Sequence, residues 1–388
     1  MKDLAREKIQ RINELLATSD IPHNGLLSGA LGLAYYYYHT GAILDDPDLV
    51  ARGENLLMTV FEEVNGTNAR LNGTAYANGA TGFAYTVCNL QRNGLIDFDL
   101  DEEFADLDEY LFDSAYAQLE QGETDYLHGA MGAFHYFSAR RPTAVTDRYL
   151  NRLATLFMDK AVVTPGGIYF VNKSLERLNN KADLGLAHGL SGLLLLLIAA
   201  WPRLQDQARA EELIRTGIAF ILQLELPAGA TREELTLFPF TIGSDAPPSI
   251  SNRLAWCYGD LNIALLLVRA GNLLNEPQYL ETAERIGLHT LSRRTAEDTL
   301  STDSHFCHGS AGLAQFYKCL YRETGNEAYL EPYGYWISET IAQTDKNMTE
   351  EQYKDNPVSL LDGWAGVGIV LADYLSGEHR NWSEAFLL

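Results

Sequence analysis

Hydrophobic and polar positions along the chain fall into two kinds of segment. In one kind almost every position is apolar or aromatic, as in Leu33 to Tyr38, Phe83 to Leu90 and Leu193 to Ala200. Such stretches predict helices buried nearly all round. In the other kind, apolar residues recur at helical spacing among Asp, Glu, Arg and Gln, as in Leu4 to Thr18, Asp206 to Leu222 and Pro277 to Leu291. These predict helices with one dry and one wet face. The two kinds alternate, so the pattern predicts inner and outer helices in turn.

A glycine pair marks the start of each inner segment. Gly-x-x-Gly occurs at Gly29/Gly32, Gly79/Gly82, Gly129/Gly132, Gly189/Gly192, Gly309/Gly312 and Gly363/Gly366, and Gly259/Asn262 is a seventh copy with Asn in the second place. Successive first glycines lie 50, 50, 60, 70, 50 and 54 residues apart. Self-similarity at such a period signals a repeat architecture. A unit of roughly 55 residues suits two helices and two loops. The first glycine is expected to allow a sharp turn, and the second to let neighbouring inner helices approach closely. Seven helical hairpins with their inner helices side by side would close into a ring, which hides the apolar end faces that an open array exposes. The expected fold is therefore all-α, an α/α toroid forming a single domain over residues 1–388, since no Pro- or Ser-rich linker divides it. Two excursions interrupt the rhythm. Val162 to Lys181 carries a Pro-Gly-Gly turn before Ile168-Tyr169-Phe170-Val171 and predicts a small β hairpin. Leu224 to Asn252 holds Pro227, Pro239, Pro247 and Pro248 and predicts irregular chain with short β structure at the ring's mouth.

Charge narrows the partners. Lys and Arg number 29 against 52 Asp and Glu, a formal net charge of −23. Such a surface repels phosphate backbones, which argues against nucleic acid. Residues 1–19 are amphipathic without the apolar centre of a signal peptide. The four cysteines, Cys88, Cys257, Cys307 and Cys319, are then expected in a reducing cytoplasm as thiols or metal ligands rather than disulfides. The most apolar run, Leu190 to Trp201, is too short to cross a bilayer, so no integral membrane segment is expected.

Stacking the seven copies brings out the chemistry. The residue before the first glycine is in turn Ser28, Asn78, His128, His188, Tyr258, His308 and Asp362, and the one before that is Leu27, Ala77, Leu127, Ala187, Cys257, Cys307 and Leu361. Four before the glycine stand Gly25, Ala75, Asp125, Gly185, Ala255, His305 and Ser359. Equivalent positions of a ring face one end of its cavity. Metal-binding and acid/base residues concentrate in the third to sixth copies. Two thiols and an imidazole, Cys257, Cys307 and His308, make a soft three-ligand set for Zn2+ with one position open, the pattern of a catalytic rather than a structural site. The bland alternative is that a cysteine in a helical core is a small hydrophobe. It suits Cys88 and Cys319. Matching slots and an adjacent histidine favour zinc for the other two, and the helix N-termini beside them favour thiolate. His128 and His305 read either as pocket-lining or as hydrogen-bonded structural histidines. Asp125 reads as readily as a helix N-cap as an acid/base group. His23, His39, His135, His289 and His379 form no constellation.

Leu186-Ala187-His188-Gly189, Trp256-Cys257-Tyr258-Gly259 and Cys307-His308-Gly309, in this order and with the glycine recurrence across nearly the whole chain, resemble the lanthionine synthetase C-like family, the LanC-type lantibiotic cyclases. The resemblance implies seven inner and seven outer helices with zinc at one end of the cavity. It implies addition of peptide cysteine thiols to dehydroalanine or dehydrobutyrine, giving lanthionine or methyllanthionine rings. It matches Cys257, Cys307 and His308 to the zinc ligands, His188 and Asp125 to active-site residues, Arg253 to an arginine near the metal, and Trp256 and Tyr258 to flanking aromatics that would contact substrate along with His128 and His305. Asn262 departs from the repeat and leaves the tightness of that helix contact open. The expected partners are a dehydrated precursor peptide, a separate dehydratase and export machinery, with the protein cytoplasmic, either free or peripheral to a membrane-bound biosynthetic complex. Two alternatives stay open: a non-catalytic zinc-dependent thiol- or peptide-binding scaffold, and another zinc-thiolate enzyme that alkylates peptides, such as a prenyl transferase.

Overall fold

The computed structural model describes residues 1–66, 68–173, 182–227, 235–243, 248–376 and 381–388. Inner helices are α2 (Ala30–Leu44), α4 (Ala80–Arg92), α7 (Met131–Ala139), α9 (Leu190–Ala200), α11 (Asp260–Leu274), α14 (Ser310–Thr324) and α16 (Trp364–Ser376). Outer helices are α1 (Lys2–Leu16), α3 (Pro47–Asn65), α6 (Ala105–Gln121), α8 (Ala144–Met158), α10 (Gln207–Leu222), α12 (Pro277–His289) and α15 (Leu330–Thr349), and α5 (Leu100–Glu103) and α13 (Ala296–Thr299) are single turns between them. Each inner helix packs on the next, and α16 packs on α2, so the ring is closed; α1 seals the seam against α15 and α16. Burial follows the predicted pattern. Every residue of α2 from Ala30 to Gly41 is buried, whereas α3 buries only Leu49, Gly53, Leu57 and Val60.

The glycine pairs act differently from the expectation. At Gly29, Gly79, Gly189 and Gly309 the backbone is extended, with φ between −138° and −102°. What excludes a side chain is space. A Cβ on Gly29 would lie 2.3 Å from the His23 carbonyl, and one on Gly309 2.5 Å from that of His305. The second glycine likewise makes room for loop rather than helix, its own loop in most copies and, at Gly132, Tyr76 of the neighbouring one, 2.5 Å from a Cβ there. A Cβ on Gly192 would sit 1.8 Å from the Leu186 carbonyl oxygen, and one on Gly312 1.9 Å from that of Phe306. The fifth copy solves the problem another way. Gly259 takes φ 126°, a conformation that favours glycine. Asn262 then uses its side chain, donating through Nδ2 to the Trp256 carbonyl at 3.0 Å and accepting the Leu186 N–H on Oδ1 at 3.2 Å. The departure therefore ties the fourth and fifth loops together.

Backbone hydrogen bonds stitch the seven loops into a second ring. Leu27 donates to Ala77, Ala77 to Leu127, Leu186 and Ala187 to Cys257, Trp256 to Cys307, Cys307 to Leu361, and Leu360 to Leu27. Among the described residues no such bond joins the third loop to the fourth. Below the ring, the residues three before each first glycine, from Leu26 and Tyr76 round to Phe306 and Leu360, form a buried layer. Residues 381–388 fill the centre beneath it. Tyr35 donates to the Trp382 carbonyl, Tyr76 and Tyr126 to that of Ala385, Trp256 to that of Phe386, and Arg269 to that of Leu387. Five side chains from four of the seven repeats thus hold one short segment through its main chain.

The first excursion is the predicted hairpin. β1 (Val162–Thr164) pairs antiparallel with β2 (Gly167–Tyr169), Val163 opposite Ile168, and Tyr169 stacks on Phe220 of α10 at 5.2 Å. In the second, β3 (Ala182–Asp183) pairs with β4 (Thr241–Ile242), beside the loop that carries His188. Residues 174–181, 228–234 and 244–247, and His379, lie outside the described residues.

Candidate metal centre and the cavity around it

All seven residues that precede a first glycine line one cavity of about 390 Å³. Larger grooves on the outer face contain none of the residues singled out by the repeat. On one side of the cavity Cys257, Cys307 and His308 each offer a ligand atom, all within 4.8 Å of one another. Tetrahedral zinc with Zn–S bonds of about 2.3 Å needs its sulfurs roughly 3.8 Å apart, inside that spread. The donor chemistry fits as well. Hydrogen bonding to Cys257, and then burial, push the Cys307 thiol well above its ordinary value. Two adjacent buried thiolates repel, and a divalent cation between them reverses the penalty. The three residues thus form a possible metal-binding group. Cys88 and Cys319 are buried in the inner helices, away from it.

Asp125 and His188 meet where the loop ring is open. Asp125 Oδ2 lies 2.8 Å from His188 Nδ1. Its Oδ1 accepts the N–H groups of Leu127 and His128 at 2.9 and 2.7 Å. The capping reading and the acid/base reading of Asp125 thus each claim one oxygen, although the N–H groups belong to its own loop and not to a helix. Burial alone would raise the Asp125 carboxyl, but the hydrogen bond and charge of His188, then Asn172 and the His128 N–H, bring it below its ordinary value. An ionised Asp125 keeps the imidazole proton on Nδ1, so Nε2 is the nitrogen left to the cavity. The His128 ring lies 5.8 Å from that of His188, nearly parallel. Tyr258 stands between Phe240, stacked on it at 5.5 Å, and His308 at 6.0 Å.

Of three further predicted site residues, Trp256 is among those that line the cavity, and His305 and Arg253 are not. The Trp256 indole is fully buried, donates to the Phe386 carbonyl and packs against Phe306 and Phe386; it supports the ligand loop from below. His305 lies behind the ligand it was expected to accompany. Its Nδ1 accepts the His308 N–H at 3.2 Å and its Nε2 faces Asp303 at 3.3 Å. Arg253 is at the rim, donating to the Leu300 carbonyl at 3.2 Å. Sequence reasoning missed Asn172, which follows the hairpin and donates to Asp125 Oδ2 at 2.6 Å and to the His188 carbonyl at 3.0 Å. It bridges the open sector of the ring. Nothing in the repeat points to it, because it lies outside the repeated unit.

The description lanthionine synthetase C-like protein matches residues 4–387. The chain belongs to the lanthionine synthetase C-like family. Among family relatives, glutathione S-transferase LANCL1 of Danio rerio is 29% identical over 263 residues, which are 66% of this chain and 59% of that protein. The nisin biosynthesis protein NisC of Lactococcus lactis subsp. lactis is 25% identical over 218 residues, 53% of this chain and 48% of that one. The matched stretch thus spans about half the length of these relatives. A solved nisin cyclase shares the fold with a TM-score of 0.79 at 18% identity, over 100% of this chain and 98% of that one. The LanC-type toroid expected from the sequence is the fold observed. No described helix is long and apolar enough to cross a membrane.

Proposed function

We propose that this lanthionine synthetase C-like protein is a zinc-dependent peptide cyclase, which adds cysteine thiols of a dehydrated precursor peptide to dehydroalanine or dehydrobutyrine to form lanthionine or methyllanthionine. The observation that carries the reading is one cavity with a two-thiol, one-imidazole ligand set on one side and an Asp125–His188 pair on another. Cys257, Cys307 and His308 would hold the ion, and zinc bound there supplies a lowered pKa to an incoming thiol. The addition needs no redox partner. A carbon–sulfur bond forms at the β-carbon, the double bond is consumed, and the thiol's proton is replaced by one on the α-carbon. His188 takes up the thiol's proton on the bare Nε2, becoming an imidazolium beside the ionised Asp125, and then delivers it to the α-carbon, while Asp125, aided by Asn172, fixes the ring's orientation through Nδ1. The small side chains on the far wall, Ser28 and Asn78, leave room for a peptide segment. A precursor peptide and a dehydratase that prepares it are the partners this chemistry requires; an export system and a cytoplasmic location belong to the same proposal.

The LANCL1 relative, whose printed name is a glutathione S-transferase, favours a second reading in which the same ligand set holds the thiol of glutathione. Mass spectrometry with thiol alkylation separates the two. Incubated with dehydrated precursor, a cyclase leaves peptide mass unchanged and hides its thiols. Addition of glutathione, with peptide thiols still open to alkylation, supports the second reading and sinks the first. Cys257→Ala and Cys307→Ala are each expected to lose about one zinc per chain and all cyclisation. Metal analysis that finds zinc retained in both variants removes the site assignment.

A further inference from the structure

Away from the ligand set, Ser28 and Asn78 end a hydrogen-bonded chain with a fixed direction. The Gly25 N–H donates to His23 Nδ1 at 3.0 Å. His23 must therefore carry its proton on Nε2, which lies 3.2 Å from Ser28 Oγ. Ser28 receives that proton and can pass on only its own, which it donates to Asn78 Oδ1 at 3.0 Å. Burial, and then the charge of Arg70, lower the His23 imidazole below its ordinary value and keep it neutral, so the direction does not reverse near neutrality. With Oδ1 engaged, the Asn78 amide turns its Nδ2 outward, and among the described residues that nitrogen has no hydrogen-bond partner. Both Ser28 and Asn78 line the cavity. The packing enforces this arrangement, since a Cβ on Gly25 would lie 2.6 Å from Asn78 Oδ1.

We infer that Asn78 is a substrate-binding residue whose amide N–H donates to a main-chain carbonyl of a peptide lying across the cavity, with Ser28 and His23 as positioning residues that fix the amide's orientation. The inference deepens the peptide-cyclase reading and rests on it for the class of ligand. A cation is not required, because a peptide carbonyl is a neutral acceptor. A three-membered relay for one amide is explained by orientation: an asparagine free to flip would present an oxygen to the carbonyl half the time.

The test uses the zinc-loaded protein and a short capped peptide with one dehydroalanine and no cysteine, its affinity measured by calorimetry. Asn78→Ala is expected to weaken binding about five- to tenfold, in line with one hydrogen bond to a neutral group. Asn78→Asp, which still accepts from Ser28 but offers an acceptor to the cavity, weakens it further. Ser28→Ala, which frees the amide to flip, weakens it about two- to threefold. Zinc content and thermal midpoint are measured for each and should stay at wild-type values. Wild-type affinity in folded Asn78→Asp, or wild-type protein that does not bind the peptide, overturns the assignment. If Asn78→Asp fails to fold, wild-type affinity in Ser28→Ala and Asn78→Ala does the same. Cyclisation of the full precursor is followed in parallel. Wild-type protein that binds the peptide but does not cyclise the precursor sinks the cyclase reading and leaves Asn78 standing.

Discussion

Asp125 spends one oxygen on its own loop and the other on His188, so the carboxylate is fixed before any substrate arrives. Preorganisation of this kind lets a general acid act without reordering its surroundings. His188→Asn is expected to retain zinc and lower turnover by about 10²–10⁴-fold. Asn172→Ala should retain zinc as well and slow turnover about tenfold, while Asn172→Asp, with a second carboxylate against Asp125, slows it more and shifts the pH profile because like charges raise a carboxyl's pKa. Wild-type turnover and an unmoved profile in both Asn172 variants would leave that residue a packing role only. The grouping of Cys257, Cys307 and His308 and the meeting of Asp125 with His188 in one cavity were legible in the sequence because the repeat puts them in numbered slots. The side-chain directions were not. Trp256 lines the cavity but ties its indole to Phe386 below, His305 stands behind His308, and Arg253 donates to the Leu300 carbonyl while its charge still acts on His308, and no periodicity encodes that. Asn172 was illegible because it lies outside the repeated unit, and the His23–Ser28 relay because no slot pattern shows that a side chain turns back on its own loop and then reaches Asn78 in the next sector.

The helices were read from hydrophobic periodicity, and their alternation of fully and half-buried faces emerged as expected. The glycine pairs were found correctly but explained wrongly. Contact with a loop, through its own carbonyl in every copy but Gly132, and not helix–helix approach, excludes the second side chain. Gly192→Ala tests the corrected account. Its Cβ would stand 1.8 Å from the Leu186 carbonyl, so the fourth loop must move, at a cost of at least about 2 kcal/mol, and His188 moves with it. Asn262→Gly should also destabilise, because it removes the side-chain bonds to the Trp256 carbonyl and to the Leu186 N–H, which keeps only its bond to the Cys257 carbonyl. Thermal midpoints at or above wild type in both variants would contradict this picture.

Closure of the ring buries titratable groups that the proposed chemistry does not use, and His135 is one of them. His135 is buried among Tyr76, Tyr85 and Tyr126, and burial, then the Arg92 charge, push its ring down to about 3. In the unfolded chain its pKa is about 6.5. Above that pH both states are neutral and His135 has no effect. Below it the unfolded state binds the extra proton, so stability falls with pH, by roughly 2 kcal/mol at pH 5, and continues to fall towards pH 3. Urea unfolding at pH 7 and pH 5 should show a smaller drop for His135→Phe than for wild type; equal drops would place the acid lability elsewhere.

The segment 381–388 has a consequence in time as well as in space. Its partners lie far off in sequence: Tyr35 is 347 residues from Trp382, and Trp256 is 130 from Phe386. Contacts of such separation form late, because chain entropy must be overcome before they are rewarded. Trp256 and Phe306, which precede Cys257 and Cys307, both pack on Phe386. The two thiols therefore acquire their fixed spacing only when this segment seats. If this group takes a metal ion, as proposed, the path of the chain favours a ring that closes before the ion binds, because an earlier ion would meet two cysteines without fixed spacing.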